Sequence, residues 1–198
     1  MSDVHPSKRS LLVLDIDETL IHGSEIPLDR PADFRVAQFH IYKRPHLAGF
    51  LAACAEWYDL GIWSSASESY VQQIAHEVFP VPEAIRFIWG QSRTTMRRSM
   101  PSDFERFGRD IGSYHYQKRL QKLKRFGWPL QRILLVDDSP EKCAANYGNA
   151  IYVAPFHGQE ADGELPHLAS YLQSLKDCDD YRRLEKRGWR QSSQPMEL

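Results

Sequence analysis

The chain has 198 residues, enough for one full domain whose core needs no disulfide staples. Its formal net charge is -1, so no global field selects nucleic acid or an anionic membrane, and neither is expected as a partner. No apolar run approaches the roughly 20 residues that cross a bilayer, and the polar start, MSDVHPSKRS, does not have the form of a secretory signal. A cytosolic protein is expected, with the nucleus left open.

Residues 1–9 read as a flexible arm and 190–198 as a frayed tail, leaving 10–189 as a single domain. Leu11-Leu12-Val13-Leu14 has no polar face and reads as a strand buried on both sides. Residues 21–42 are mixed, and Phe34, Val36, Phe39 and Ile41 suggest an extended piece. From Pro45, apolar residues at Leu47, Phe50, Leu51, Cys54 and Tyr58 have helical spacing, with Pro45 suited to a first turn. Leu60–Trp63 is a second strand. A helix through Val71, Ile74, Ala75 and Val78 follows, stopped by Pro80. Ile85–Trp89 is a third strand.

Residues 90–113 are polar, rich in Arg and Ser, and read as a surface insertion. Tyr116, Leu120, Leu123 and Phe126 predict a helix closed by Gly127. Ile133–Val136 is a fourth strand, and Ser139-Pro140 has the form of an N-cap followed by the first helical residue. Ala150–Val153 is a fifth strand. Leu165, Leu168, Leu172 and Leu175 mark a last long helix, and residues 176–187 extend it or begin another.

Fully apolar strands alternating with helices imply an α/β domain, a parallel sheet with helices on both faces. In such sheets chemistry collects at the carboxyl ends of the strands. Asp15 and Asp17 follow the first strand, Ser64 and Ser65 the second, and Asp137 and Asp138 the fourth. Carboxylates gathered in one small site need a compensating cation. Hard oxygen donors with little His or Cys nearby favour Mg²⁺. The three cysteines, Cys54, Cys143 and Cys178, are too scattered for a metal site or a disulfide framework, and Cys54 and Cys143 read as small buried residues.

Asp15-Ile16-Asp17-Glu18-Thr19-Leu20 resembles the first signature of the haloacid dehalogenase superfamily of phosphohydrolases. The other motifs follow in order. Ser64 resembles the second, Lys118 in Tyr116-Gln117-Lys118-Arg119-Leu120 the third, and Asp137-Asp138-Ser139-Pro140 the fourth. Lys43-Arg44-Pro45, the Ser-Ala-Ser-x-x-Tyr stretch ending at Tyr70, and Val136–Pro140 are similar to the NLI-interacting-factor-like branch, which includes the small C-terminal-domain phosphatases. The resemblance covers roughly residues 10–175. It implies a Rossmann-like parallel sheet, capless or with a small insertion.

The resemblance also implies roles. Asp15 is the nucleophile that forms an aspartyl-phosphate, and Asp17 the proton shuttle. Ser64 holds the phosphoryl group and Lys118 neutralises it, with Lys122 and Lys124 as the alternative lysines. Asp15, the carbonyl of Asp17 and Asp138 hold Mg²⁺, and Asp137 orients Lys118 or a metal-bound water. Ser65 and Arg93 are candidate substrate-binding residues. Glu18 and Thr19 read as turn residues. The stretch between Asp15 and Ser64 is too short for a cap domain, which favours a phosphorylated protein or peptide as substrate. The alternatives are a capless phosphatase for small metabolites or nucleic-acid 3′-phosphate ends, and a non-catalytic scaffold.

Overall fold

The computed structural model describes residues 9–79, 85–108, 110, 112–146 and 148–198. The described elements are β1 (Leu11–Leu14), β2 (Ile21–Ser24), β3 (Phe34–Val36), β4 (Phe39–Lys43), α1 (Leu47–Trp57), β5 (Asp59–Trp63), α2 (Glu68–Val78), β6 (Phe87–Trp89), β7 (Thr95–Arg98), α3 (Pro101–Phe107), β8 (Tyr114–Gln117), β9 (Ile133–Asp137), β10 (Ala150–Tyr152) and α4 (Glu164–Leu175).

Five strands pair in parallel in the order β10-β9-β1-β5-β6. β1 lies at the centre, with Leu14 opposite Ile62 on one side and Val136 on the other. Its four residues are fully buried because alternate side chains enter two different cores. Leu12 and Leu14 join Phe50, Ile62, Val71 and Leu168 on the face covered by α1, α2 and α4. Leu11 and Val13 join Trp63, Leu123, Trp128 and Leu135 on the opposite face, covered by a 3-10 helix over Leu120–Phe126. Burying each leucine of this strand contributes about 1.5–3 kcal/mol, enough to fix its register and so the position of whatever follows Leu14. Gly61 lets β6 close up, since a Cβ there would lie 2.4 Å from the Phe87 ring.

The sequence expectations hold for the five strands of the sheet and for the three long helices, and they differ in the connections. The extended piece within 21–42 is a three-stranded antiparallel sheet, β2-β4-β3. α1 starts at Leu47, two residues after Pro45, behind a left-handed His46. The insertion carries an antiparallel hairpin, β7-β8, with α3 in its connection. The helix predicted over 116–126 is instead the end of β8 followed by the 3-10 helix Leu120–Phe126, because Tyr116 and Gln117 pair with Met96 and Thr95. Gly127 closes that 3-10 helix in the left-handed region, at φ 91°. Ser139-Pro140 opens a run of turns and no helix. Beyond α4, the charged segment has a short 3-10 turn at Tyr181–Arg183. The stretch expected to fray packs back: Trp189–Ser192 forms a 3-10 turn, Met196 N–H donates to Pro166 O at 3.1 Å, and Met196 and Leu198 pack against the core. Pro80, Arg109 and residues 1–8 of the arm lie outside the described residues. Among the described residues no helix is long and apolar enough to cross a membrane.

Candidate active site

The end of β1 carries the first acids. Asp15 N–H donates to Val136 O at 3.0 Å, which extends the ladder with β9 and holds the buried Asp15 side chain between two strands. The chain then turns back. Leu20 N–H donates to Ile16 O at 2.8 Å, and Glu18 takes a left-handed conformation at φ 59°. Glu18 and Thr19 are therefore turn residues, as their pattern suggested. The turn aims Asp17 at the loop after β5, where it accepts hydrogen bonds from Ser64 Oγ and Tyr70 Oη, both at 3.0 Å. Ser64 is positioned by its own N–H, which donates to Trp89 O at 2.9 Å. Tyr70 is positioned by α2, whose N-cap Ser67 accepts from Tyr70 N.

The end of β9 carries the second pair. Lys118 Nζ lies 2.6 Å from Asp137 Oδ2 and 2.6 Å from Asp15 Oδ1, and all three side chains are at most 1% exposed. Lys118 sits in the loop after β8. Its N–H donates to Lys142 O at 2.8 Å and its carbonyl accepts from Asn146 Nδ2. Lys122, one of the alternatives, faces elsewhere, donating to the carbonyls of Arg93 at 2.6 Å and Thr94 at 3.0 Å. Asp138 is partly exposed and accepts from Ser139 Oγ at 3.1 Å. Asp15, Asp137 and Asp138 each offer one oxygen, all within 4.8 Å of one another. An all-carboxylate trio of this size fits a hard divalent cation. The Asp17 carboxylate faces Ser64 and Tyr70 and is not part of the trio.

The electrostatics separate the acids. Burial pushes Asp15 up, but the charges of Lys118 and Lys142 outweigh it and hold this carboxyl below the usual range. Burial and the nearby Asp15 charge push Asp17 up, against the hydrogen bonds from Tyr70 and Ser64. Two carboxyls two residues apart are thus shifted in opposite directions by their surroundings. Burial and the Asp15 charge also raise Asp137, against the opposing charges of Lys118 and Lys142. Lys118 itself stays charged, because Asp137 and Asp15 overcome its burial. Burial, Asp17 and Asp138 push Glu18 up to about 7. The buried thiols of Cys54 and Cys143 are raised by burial, consistent with inert core residues.

The structure therefore brings together Asp15, Asp17, Ser64, Lys118, Asp137 and Asp138. Ser65 is half-buried next to Ser64. Arg93 is set apart, its guanidinium 5.4 Å from the Trp89 ring centre. Two residues with no role assigned from sequence also reach the site. Tyr70 ends a quoted motif but its bond to Asp17 depends on how α2 packs. Lys142 Nζ lies 3.5 Å from Asp15 Oδ2 and 3.8 Å from Asp138 Oδ1. Its spacing of four from Asp138 was the available signal.

Two clefts share the region where the loop after β5 meets the start of α2. One, of about 350 Å³, is lined by Asp17, Glu18, Gly23, Phe39, Ala66, Ser67 and Tyr70. The other, of about 820 Å³, runs along β6 between α2 and Arg125–Phe126, and includes Arg86, Trp89 and Arg93. β6 is the last strand on that side of the sheet.

A family model described as NLI interacting factor-like phosphatase matches residues 10–182. The human carboxy-terminal domain RNA polymerase II polypeptide A small phosphatase 1 is 27% identical over 182 residues, covering 88% of this chain and 62% of its own. The Dictyostelium discoideum CTD small phosphatase-like protein 2 is 26% identical, with 90% of this chain and 29% of its own length covered. A Drosophila melanogaster CTD nuclear envelope phosphatase 1 homolog is 28% identical over 190 residues, 88% of this chain and 71% of its own. The chain thus spans less than two thirds of the human and Dictyostelium relatives. Among solved structures, the fission yeast RNA polymerase II CTD phosphatase Fcp1 bound to beryllium fluoride shares the fold, with a TM-score of 0.54 and 22% identity over 79% of this chain and 44% of that one.

Proposed function

Because the chain belongs to the NLI interacting factor-like phosphatase family, we propose that it is a Mg²⁺-dependent phosphatase that hydrolyses a phosphomonoester through an aspartyl-phosphate on Asp15, with a phosphorylated protein or peptide as substrate. The observation that carries this reading is the pairing of a buried, lysine-neutralised Asp15 with a raised, hydrogen-bonded Asp17 at one sheet edge.

In the first step an Asp15 oxygen bonds to phosphorus as the bond to the leaving oxygen breaks, and Asp17 gives that oxygen a proton. In the second step water attacks the phosphorus of the aspartyl-phosphate, Asp17 takes its proton, and the Asp15 carboxylate is released with inorganic phosphate. Ser64 and Tyr70 hold Asp17 in place for both transfers. Ser64 Oγ is also a donor for a phosphoryl oxygen, with Ser65 beside it. Lys118 is a fixed, desolvated cation against the charge that builds up on Asp15 and on the transferring group. Asp15, Asp138 and the Asp17 carbonyl are the ligands assigned to Mg²⁺, with Asp137 orienting Lys118. When bound, the ion supplies charge neutralisation at the phosphoryl oxygens.

Substrate size follows from what surrounds the site. Between Asp15 and Ser64 the chain forms only the small sheet β2-β4-β3, α1 and β5. A stretch with no room for a cap domain suits a phosphate carried on a macromolecule, and the relatives named as phosphatases of a polymerase carboxy-terminal domain support a protein substrate. In this reading Arg93, set apart from Asp15, would meet an acidic flank of such a substrate rather than its phosphate. A cytosolic location, with the nucleus left open, belongs to the same reading.

Purified protein should hydrolyse an aryl phosphate with Mg²⁺ and stop with EDTA. Rates on phosphopeptides, sugar phosphates and 3′-phosphorylated DNA then decide the substrate, and metabolite or DNA rates far above peptide rates would overturn the peptide reading. Absence of hydrolysis on every substrate would point to a scaffold.

A further inference from the structure

Asp15 has a lysine on each oxygen. Oδ1 faces Lys118 at 2.6 Å, and Oδ2 faces Lys142 at 3.5 Å. The two cations are held differently. Lys118 is fully buried and makes its second short contact with Asp137. Lys142 is 21% exposed, makes only long contacts, and rises from the run of turns after β9. Its long contacts go to Asp15 and Asp138, two of the three carboxylates that fit a divalent ion.

We propose that Lys142 serves as the counter-cation of this carboxylate cluster in the metal-free protein and is displaced when a divalent metal binds, so that metal loading is an exchange of one cation for another. The inference rests on reading the trio as a metal site. Two ammonium groups face Asp15, Asp137 and Asp138, with the Asp17 carboxyl close by, so the cluster is under-neutralised without metal. A divalent ion brings twice the charge of an ammonium and binds carboxylate oxygens at 2.0–2.6 Å in general, well inside the contacts Lys142 makes. Lys118 cannot yield without stranding a buried Asp137. Lys142 can, because solvent reaches its side chain while its carbonyl remains tied to Lys118 N–H. Removing its charge should therefore weaken the metal-free state and strengthen metal binding, the reverse of what the loss of a ligand does.

The test is calorimetric titration of Mg²⁺ into metal-free wild type, Lys142→Met and Lys142→Arg at one pH and ionic strength, with melting curves in EDTA and in Mg²⁺. Lys142→Met should bind Mg²⁺ about tenfold more tightly than wild type, the scale of one lost like-charge contact. It should melt lower than wild type in EDTA and gain more from Mg²⁺. Lys142→Arg, which keeps the cation, should stay near wild type in affinity. If Lys142→Met does not fold, Lys142→Gln carries the same comparison. Unchanged or weaker affinity in the neutral variant overturns the exchange and leaves the metal site standing. No Mg²⁺ binding to any form overturns both.

Discussion

Asp15 and Asp137, from neighbouring parallel strands, share the single ammonium of Lys118, which lies 2.6 Å from an oxygen of each. Lys118→Met should therefore act twice. It removes the fixed cation from phosphoryl transfer, with an expected loss in kcat of about 10²–10³. It also leaves two buried carboxylates with a weaker counter-charge, at a cost of about 3–5 kcal/mol in the absence of metal. Lys122→Ala should retain wild-type turnover of an aryl phosphate, because its Nζ serves two backbone carbonyls away from the acids. Steady-state kinetics and urea unfolding check both, and equal losses in the two variants would reassign the catalytic lysine.

Asp17 offers a test that separates the two chemical steps. With a good leaving group such as nitrophenolate the first step needs little acid, whereas hydrolysis of the aspartyl-phosphate still needs a base. Asp17→Asn should release about one equivalent of nitrophenol in a burst and then slow by about 10²–10⁴-fold. Intact-mass spectrometry after acid quench should find the phosphate on Asp15, and Asp15→Asn should give neither burst nor adduct. A variant without a burst, or with an adduct elsewhere, would rule out the assignment of these two residues.

Much of this site was legible in the sequence because it rests on strand ends. Leu11–Leu14 and Ile133–Val136 have no polar face, so both belong inside a sheet, and the acids that follow each had to meet at its edge. Connections were harder. Leu120, Leu123 and Phe126 recur every three residues, a spacing that a 3-10 helix satisfies as well as an α-helix does. The strand before them showed itself only weakly, through inward-facing His115 and Gln117 beside the outward-facing Tyr114. At Ser139-Pro140 a second local signal competes with the helix start: Asp137 Oδ1 accepts from Ser139 N–H at 2.9 Å, a side-chain-to-backbone bond two residues on that ties the chain into a turn. Tyr70 meets Asp17 and Lys142 meets Asp15 from far away in sequence, and no local periodicity encodes those two contacts.

Arg44 shows what the Lys43-Arg44-Pro45 signature does in this chain. Its fully buried guanidinium makes two 2.8 Å bonds to Asp162 and one of 3.0 Å to Thr19 O, pinning the turn that carries Asp17. Burial pushes Asp162 up, but the hydrogen bonds from Arg44 and from Glu164 N–H outweigh it and hold the carboxyl below the usual range. The ion pair thus stabilises the fold above the unfolded carboxylate range. Its contribution fades as pH falls from about 4 through the lower folded value. Asp162→Asn should cost about 1.5–3 kcal/mol at pH 7, and the gap to wild type should narrow in urea melts at pH 3. A gap of constant size across that range would remove the ion pair as its cause.

The cleft along β6 predicts a charge preference in the substrate. Arg93 lies 5.4 Å from the Trp89 ring centre and Arg125 lies 4.9 Å from that of Phe126, so both guanidiniums are supported by rings and pre-organised for carboxylates or phosphates. Burial and the cations of Arg119, Arg125 and Arg93 push Lys122 down, which registers a positive field on this side of the molecule. Trp89 is only 8% exposed, so it offers no open stacking platform for nucleic-acid bases. Phosphopeptides with Asp or Glu beside the phosphorylated residue should accordingly show KM values about tenfold below those with Lys there, at similar kcat. The difference should shrink at about 1 M salt, where screening is short-ranged. Arg125→Gln should narrow it as well, while leaving hydrolysis of a small aryl phosphate at the wild-type rate. Equal KM values for the acidic and basic peptides would show that this cleft takes no part in substrate choice.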